Sequence, residues 1–358
     1  MTRPAGIART GFPFLKTIGN FTKTSHPYDI ALGQEGRLYA LCGGNSGPVT
    51  ITNMEDEDLG AFGSPDYGFR FPNVKRPYGS DDWPVRDGAL LRPCQIIVDR
   101  DELVYVSDEG ADRISIFNRH GEFLGKWGEH GSDDGQLHRP AGIAFDAYED
   151  MYVVDTLNHR VQKFTKDGRF LGKWGGFGLG DREFNMPWGI AIDEFGQVYV
   201  ADWRNDRIQV FDSNMACIFK FGGSGSGNGE FCRPSGVAVD KHGDIYVADT
   251  QNNRVQLFSE DGVYVQQFIG DANLSVSYRE PMIRPRKTYR RRPETGDLDL
   301  VKLLGHPRSV RVDDDFNLII ADYESHRIQV YNKEAFPLGE DQVAPHRRSP
   351  TLNPAFTG

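Results

Sequence analysis

Three near-copies of one unit, laid end to end, constrain this chain more than anything else in it. RPAGIAFD begins at Arg139, MPWGIAID at Met186 and RPSGVAVD at Arg233, so Pro140, Pro187 and Pro234 recur with a period of 47 residues. Each copy continues into YVVD or YVAD, ending at Asp155, Asp202 and Asp249, and an arginine follows five residues later, at Arg160, Arg207 and Arg254. A fixed period of this length marks a repeat architecture, in which each unit buries its apolar surface against its neighbours. Within a unit, segments such as GIAF, MYVV, VQKF and FLGKWG are rich in β-branched and aromatic residues. Acidic, Gly-bearing turns separate them, for example DEFG (193–196), DKHG (240–243) and KDG (166–168). Such segments read as antiparallel strands, and four short strands per repeat make a propeller blade.

The loop between the second and third strands reads TLNHR (156–160), WRNDR (203–207) and TQNNR (250–254). These loops, with proline, glycine, aspartate and arginine recurring in fixed order, resemble NHL repeats, and the resemblance covers most of the chain. It implies an all-β, six-bladed β-propeller. Counting key prolines agrees: Pro27, Pro93, Pro140, Pro187, Pro234 and Pro307 give six units. The first unit is degenerate, with DIALG in place of GIAFD and Cys42-Gly43-Gly44 in place of the Asp loop. The last unit, HPRSVRVD, LIIAD and RIQVY, supplies three strands, whereas FLKTIG (14–19) near the N-terminus matches a fourth strand with no blade before it. Ring closure by this N-terminal strand joins the two ends and leaves no free edge. The expected organisation is an N-terminal tail over 1–13, a propeller over 14–336 and a C-terminal tail over 337–358, with inserts at 64–91 and 271–304.

Composition narrows the class further. A formal net charge of −10 argues against nucleic acid as the general partner. The cysteines, Cys42, Cys94, Cys217 and Cys232, form no C-x-x-C pair of the kind a structural zinc site uses. The N-terminus MTRPAGIARTGFPF is too polar for a secretory h-region, and no apolar run is long enough to span a bilayer. The expectation is a soluble, reduced, cytoplasmic protein with no membrane partner.

In an antiparallel blade, the connection to the next blade and the loop between strands two and three share one face, here called the top. Both inserts, the D-x4-R loops and the residue after each key proline fall there, and variation confined to one face of a repeat array marks a working face. The Asp/Arg pairs 108/113, 155/160, 202/207, 249/254 and 322/327 recur in five blades. They read as loop clamps, since a catalytic group is needed once and a scaffold device once per blade. Gly142, Gly189 and Gly236 suit close approach of strands near the axis. The residue before each fourth-strand glycine, including Trp127, Trp174 and Ile269, reads as packing between blades.

What breaks the repeat is more informative. The position after the key proline reads Tyr28, Cys94, Ala141, Trp188, Ser235 and Arg308, and the next reads Asp29, Gln95, Gly142, Gly189, Gly236 and Ser309. A polar pocket at the channel mouth follows, with Tyr28, Asp29, Cys94, Trp188 and Arg308 as ligand-binding candidates; the competing reading is an ordinary solvated rim. His26 and His306 share one repeat position in neighbouring blades. With Asp29 they form a donor set suited to a divalent metal such as zinc or iron; alternatively they hydrogen-bond rim loops. The segment 279–292 carries Arg284, Arg286, Lys287, Arg290 and Arg291 with Tyr278 and Tyr289 interleaved. It reads as a lid over the pocket, a polyanion contact or a solvated loop.

Fold does not choose among the functions of such propellers. The leading expectation is a stand-alone module that binds a small anionic ligand, peptide or protein partner on its top face. The alternatives are a lyase or hydrolase, metal-dependent or not, and RNA or polyanion binding through the basic insert. Resemblance to the peptidyl-hydroxyglycine amidating lyase implies zinc held by histidines after the key prolines. Here those six positions hold no histidine.

Overall fold

The computed structural model describes residues 6–20, 23–43, 48–63, 86–272 and 302–338. Six four-stranded antiparallel sheets stand around a central axis as the blades of a propeller. Blade 3 is representative: Pro140–Phe145 is innermost, followed outward by Met151–Asp155, Arg160–Phe164 and Phe170–Gly175. The second strand of every blade is apolar on both faces. In blade 3 Met151 and Val153 pack toward blade 2, while Tyr152 and Val154 pack toward blade 4. A strand covered on both sides gains from continuous apolar sequence, as in any doubly covered sheet. The result is six apolar clusters, one at each junction between blades.

The ring closes as the sequence implies. Phe14–Ile18 is the outer strand of the sheet formed by Pro307–Val312, Asn317–Asp322 and Arg327–Asn332. Ile18 lies opposite Ile328, as Trp174 lies opposite Val161 in blade 3, and Ile18 is buried in the cluster between blades 6 and 1. Beyond the ring, Gly6–Gly11 pairs with Glu334–Leu338 in a two-stranded ribbon that places strand in the segment read as the N-terminal tail and across the expected end of the propeller at residue 336. Arg9 ties the ribbon to Asp244 of blade 5, its Nε donating over 2.8 Å. In blade 5 the packing position falls on Phe268, buried opposite Val255, and the neighbouring Ile269 is exposed. The sequence assignment of Ile269 is therefore one residue late.

The Asp/Arg pairs are loop clamps. Asp202, fully buried, accepts from Asn185 N–H, Asn205 Nδ2 and Arg207 Nε, each at 2.8 Å, and from Gln209 Nε2 at 3.3 Å. The Arg207 guanidinium continues outward to the carbonyls of Leu179, Gly180 and Glu183 in the loop that enters the blade. Blades 3, 5 and 6 repeat the Asp–Arg contact at 2.7, 2.8 and 2.7 Å. Blade 2 departs: Asp108 accepts backbone N–H groups of Leu91 and Arg92, and Arg113 donates to Ala89 O instead. In blade 1, Cys42 occupies the aspartate position, opposite Pro27.

Two outcomes test this architecture. Deleting residues 1–20 removes the outer strand of blade 6 and lowers the melting temperature by at least about 5 °C; an unchanged midpoint contradicts closure. Asp202→Ala removes the one acceptor shared by the Asn185 N–H, Asn205, Arg207 and Gln209 and leaves the partly buried Arg207 guanidinium without its counter-charge. It destabilises by about 3 kcal/mol in denaturant titration.

Candidate functional site

A repeated pair of left-handed residues builds the rim of the channel. The residue before the key proline has positive φ in five blades, at His26, Arg139, Met186, Arg233 and His306. So does the last residue of the loop between strands two and three, at Asp112, His159, Asp206, Asn253 and His326. The two sets are bonded from blade to blade. Arg139 N–H donates to Asp112 (2.6 Å), Met186 N–H to His159 Nδ1 (3.0 Å) and Arg233 N–H to Asp206 (2.8 Å). His306 N–H donates to Asn253 (2.8 Å), and His26 N–H to His326 Nδ1 (3.1 Å). Asp, Asn and His are the side chains that best tolerate this backbone conformation, and each offers an acceptor at short reach. That is the physical content of the loop signature: one residue turns the chain and staples the next blade.

The chain then passes through the proline into the inner strand, and the next two residues line the axis. Tyr28, Cys94, Ala141, Trp188, Ser235 and Arg308 surround one cavity together with the residues that follow them. The structure thus brings all five ligand-binding candidates together. The cavity holds only about 20 Å³, roughly the space of one water molecule, so any larger ligand must sit at the mouth.

The second position of each pair is engaged in the scaffold. In blades 3 and 4 glycine is required by close approach: a Cβ on Gly142 would lie 2.4 Å from Trp188 O, and one on Gly189 2.3 Å from Ser235 O. In blades 1 and 2 a side chain makes the crossing. Asp29 accepts Ile96 N–H of blade 2 (2.9 Å), Arg311 Nη2 of blade 6 (2.6 Å) and the Ser309 hydroxyl. Gln95 Oε1 accepts Ile143 N–H of blade 3 (2.6 Å). Burial raises the Asp29 pKa, and Arg311, Ser309 and Ile96 N–H oppose that shift. The polar break in blades 6, 1 and 2 is thus bound up with joining inner strands, and Asp29 contributes to the mouth chiefly by fixing it.

Arg308 is different. Its guanidinium lies 4.8 Å from the ring centroid of Tyr323 and 5.6 Å from that of Tyr28. Its Nε is buried without a hydrogen-bond partner, and no carboxylate pairs with it among the described residues. Tyr28 is raised by burial and by Tyr323, which keeps its hydroxyl protonated. Burial, then Glu109 and Asp108, push the Cys94 thiol well above its usual range, so it is not a thiolate nucleophile at neutral pH. His26 and His306 enter separate networks. His306 Nδ1 meets Glu324 at 2.8 Å, and the His26 ring packs on His326 with centroids 4.0 Å apart. Among the described residues, no group of three or more His, Cys, Asp or Glu is arranged to hold a metal. Arg284, Arg286, Lys287, Arg290 and Arg291 lie outside the described residues.

Tyr323 was not singled out in the sequence, although a signal existed. It follows the loop aspartate, where blades 3 and 5 carry Thr156 and Thr250. Trp203 departs from the same position in blade 4 and packs 6.1 Å from Trp188.

Comparison with known proteins agrees with this geometry. The NHL repeat profile matches residues 184–211, 231–258 and 304–331, which fall in blades 4, 5 and 6. The chain thus carries NHL repeats in three blades of a six-bladed β-propeller. No curated protein matches it. Among solved structures it is similar to a streptogramin B lyase, at 12% identity over 90% of this chain and 98% of that one, with a TM-score of 0.53. A catalytically inactive virginiamycin B lyase from Staphylococcus aureus with quinupristin gives 12% identity, 90% and 88% coverage and a TM-score of 0.53. An auxiliary nutrient binding protein from Bacteroides thetaiotaomicron VPI-5482 gives 14% identity, 91% and 73% coverage and a TM-score of 0.57. At these identities the likeness is one of fold. Among the described residues no helix is long and apolar enough to cross a membrane.

The rim staples carry a pH dependence. His326 must be neutral at Nδ1 to accept from His26, and burial, then His26, lower its pKa from 6.5 to about 4. A depressed folded pKa means the unfolded state binds the proton first, so stability is lost as pH falls from about 6.5 toward 4. His326→Asn keeps an acceptor, as Asn253 does in blade 5, without titrating. Its melting temperature falls less than that of the wild type between pH 6.5 and pH 4.

Proposed function

We propose that this propeller is a recognition module that binds a carboxylate-bearing ligand at the top mouth of its channel, with Arg308 as the anchoring cation. The observation that carries this reading is the state of Arg308. A half-buried guanidinium, held against two tyrosines and without a carboxylate partner among the described residues, is poised to accept one. Tyr28 supports it as a protonated donor beside the guanidinium, and Trp188 supplies a flat apolar wall of the same cavity. Because the cavity admits little more than a water molecule, the carboxylate caps the channel and the body of the ligand stays outside it.

Binding is favoured over turnover by the mouth itself. Cys94 and Tyr28 are both held protonated, and general-base or nucleophilic chemistry needs a group poised the other way. The nutrient-binding propeller supports a ligand-binding role only as an example of what the fold can carry.

A thermal-shift screen of C2–C6 mono- and dicarboxylates and N-acetyl amino acids tests the reading. Wild type is stabilised by at least one compound, and high salt reduces the shift because one charge pair is screened. Arg308→Ala abolishes that shift and changes the ligand-free stability by about 1–2 kcal/mol, the scale of a partly desolvated cation–π contact. An equal ligand-induced shift in wild type and Arg308→Ala refutes the proposal.

A further inference from the structure

Blade 4 departs from its neighbours at four positions, all toward apolar side chains and all on the top face. The loop entering the blade reads GGFGLGD from Gly175, where the sister loops read GEHGSDD and GGSGSGN. Phe177 thus replaces His130 and Ser224, and Leu179 replaces Ser132 and Ser226. The three loops share one backbone, since His130, Phe177 and Ser224 each bridge to the equivalent downstream residue, Leu137, Phe184 and Phe231. Local geometry therefore does not call for the apolar pair. Phe177 is 70% exposed and Leu179 74%. Phe177 keeps one edge on the His159 ring, 5.1 Å between centroids, at the position where His130 and Ser224 bond Asp112 and Asp206; the rest of that ring, and Leu179, face water on a loop that folds in blade 5 with serine at both positions.

The other two departures point the same way. Thr156 and Thr250 each donate a hydroxyl to the proline carbonyl of the next blade, at 2.9 and 2.8 Å. Trp203 stands at that position in blade 4 and cannot make the bond, so the site gives up an inter-blade contact and displays an indole. Trp188 stands where Ala141 and Ser235 stand in blades 3 and 5. The loops are joined beneath these side chains, for Asn205 donates to Gly178 O at 2.8 Å and Arg207 to Leu179 O at 2.6 Å. Two arginines lie over the Trp203 ring, Arg233 at 4.9 Å and Arg204 at 5.7 Å from its centroid. The blade thus shows apolar side chains running from the rim to the channel, edged by cations.

We infer that the carboxylate ligand proposed for the mouth is part of a peptide. Its terminal carboxylate meets Arg308, and its preceding residues, apolar and acidic, lie across Trp188 and Trp203 to Phe177 and Leu179. This rests on the reading of Arg308 given above and extends it to the ligand's class. The charge pattern selects acidic flanks, because Arg204 and Arg233 border the aromatic ring. Exposed aromatic and arginine side chains are the residues that anchor peptide interfaces. A single-stranded nucleic acid also uses rings and cations, but an aliphatic Leu179 on the rim gives no stacking platform, and the chain as a whole carries a net charge of −10.

Fluorescence polarisation with a labelled decapeptide pool tests this. The pool is randomised among Phe, Leu, Asp, Glu, Gly and Ser, with a free C-terminal carboxylate; a second pool is amidated. The variants borrow residues from sister blades, so each is known to suit its backbone: Phe177→Ser with Leu179→Ser, and Trp203→Thr. The carboxylate pool binds wild type, the amidated pool binds at least about ten-fold more weakly, and each variant loses about ten-fold in affinity. N-acetylphenylalanine, which reaches only the mouth, binds the Phe177→Ser, Leu179→Ser double variant as it binds wild type. If Arg308→Ala alone weakens the pool and the blade 4 variants do not, the peptide inference is overturned and the mouth reading stands. If the blade 4 variants weaken it and Arg308→Ala does not, the peptide surface stands and the anchoring role of Arg308 falls. No binding of the pool at 1 mM protein, about the limit of the assay, overturns the inference. So does preferential capture of a labelled uridine 20-mer lost in the same variants, which makes the surface a nucleic-acid platform.

Discussion

Each of blades 3 to 6 hangs on one buried carboxylate. Asp155 accepts from the His138 backbone, Asn158, Arg160 and Gln162, and Asp249 repeats the set with Cys232, Asn252, Arg254 and Gln256. The donors come from the incoming loop, the turn and the third strand, so one side chain fixes three pieces of chain relative to the end of the second strand. A buried charge of this kind is tolerable only when fully hydrogen-bonded. Each carboxylate is accordingly satisfied, in blade 2 by the backbone N–H groups of Leu91, Arg92 and Gly110, and blade 1, with Cys42 at the aspartate position, lacks the carboxylate.

The top face inherits its order from these clamps. Because the incoming loops are held, the left-handed residue before each proline can be stapled from the previous blade, and the residue after the proline is aimed at the axis. The scaffold thus delivers six side chains to one small ring and leaves their identity open. Repetition fixes the frame, and the ligand contacts proposed above fall on departures from repetition. Arg308 and Trp188 at the mouth, with Trp203, Phe177 and Leu179 over blade 4, are departures of this kind.

Not every departure is a functional one. Asp29, Gln95 and Ser309 break a glycine pattern as plainly as Arg308 breaks its own column, yet Asp29 and Gln95 bond the inner strand of the next blade and Ser309 bonds Asp29. In blades 3 and 4 the close approach of the next inner strand leaves room only for glycine; in blades 1 and 2 a polar side chain bonds the next strand instead. Sequence shows both as polarity near the axis. Only the partner atoms separate a side chain already engaged from one still facing the cavity.

The sequence by itself determined the six blades, the closure of the ring by residues 14–19, and the ring of positions after the key prolines. These follow from periodicity, and a period is a property of the chain alone. It also marked the Asp/Arg pairs as scaffold, because a device present in five blades serves what all blades share. It could not tell that Asp29 is saturated, that Arg113 bonds a carbonyl in place of Asp108, or that Tyr323 and Trp203 join the top face. It could not tell either that the central cavity is too small for a ligand to enter. Those outcomes depend on distances between blades, which are set by how six apolar junctions pack around one axis, and no single repeat contains that information.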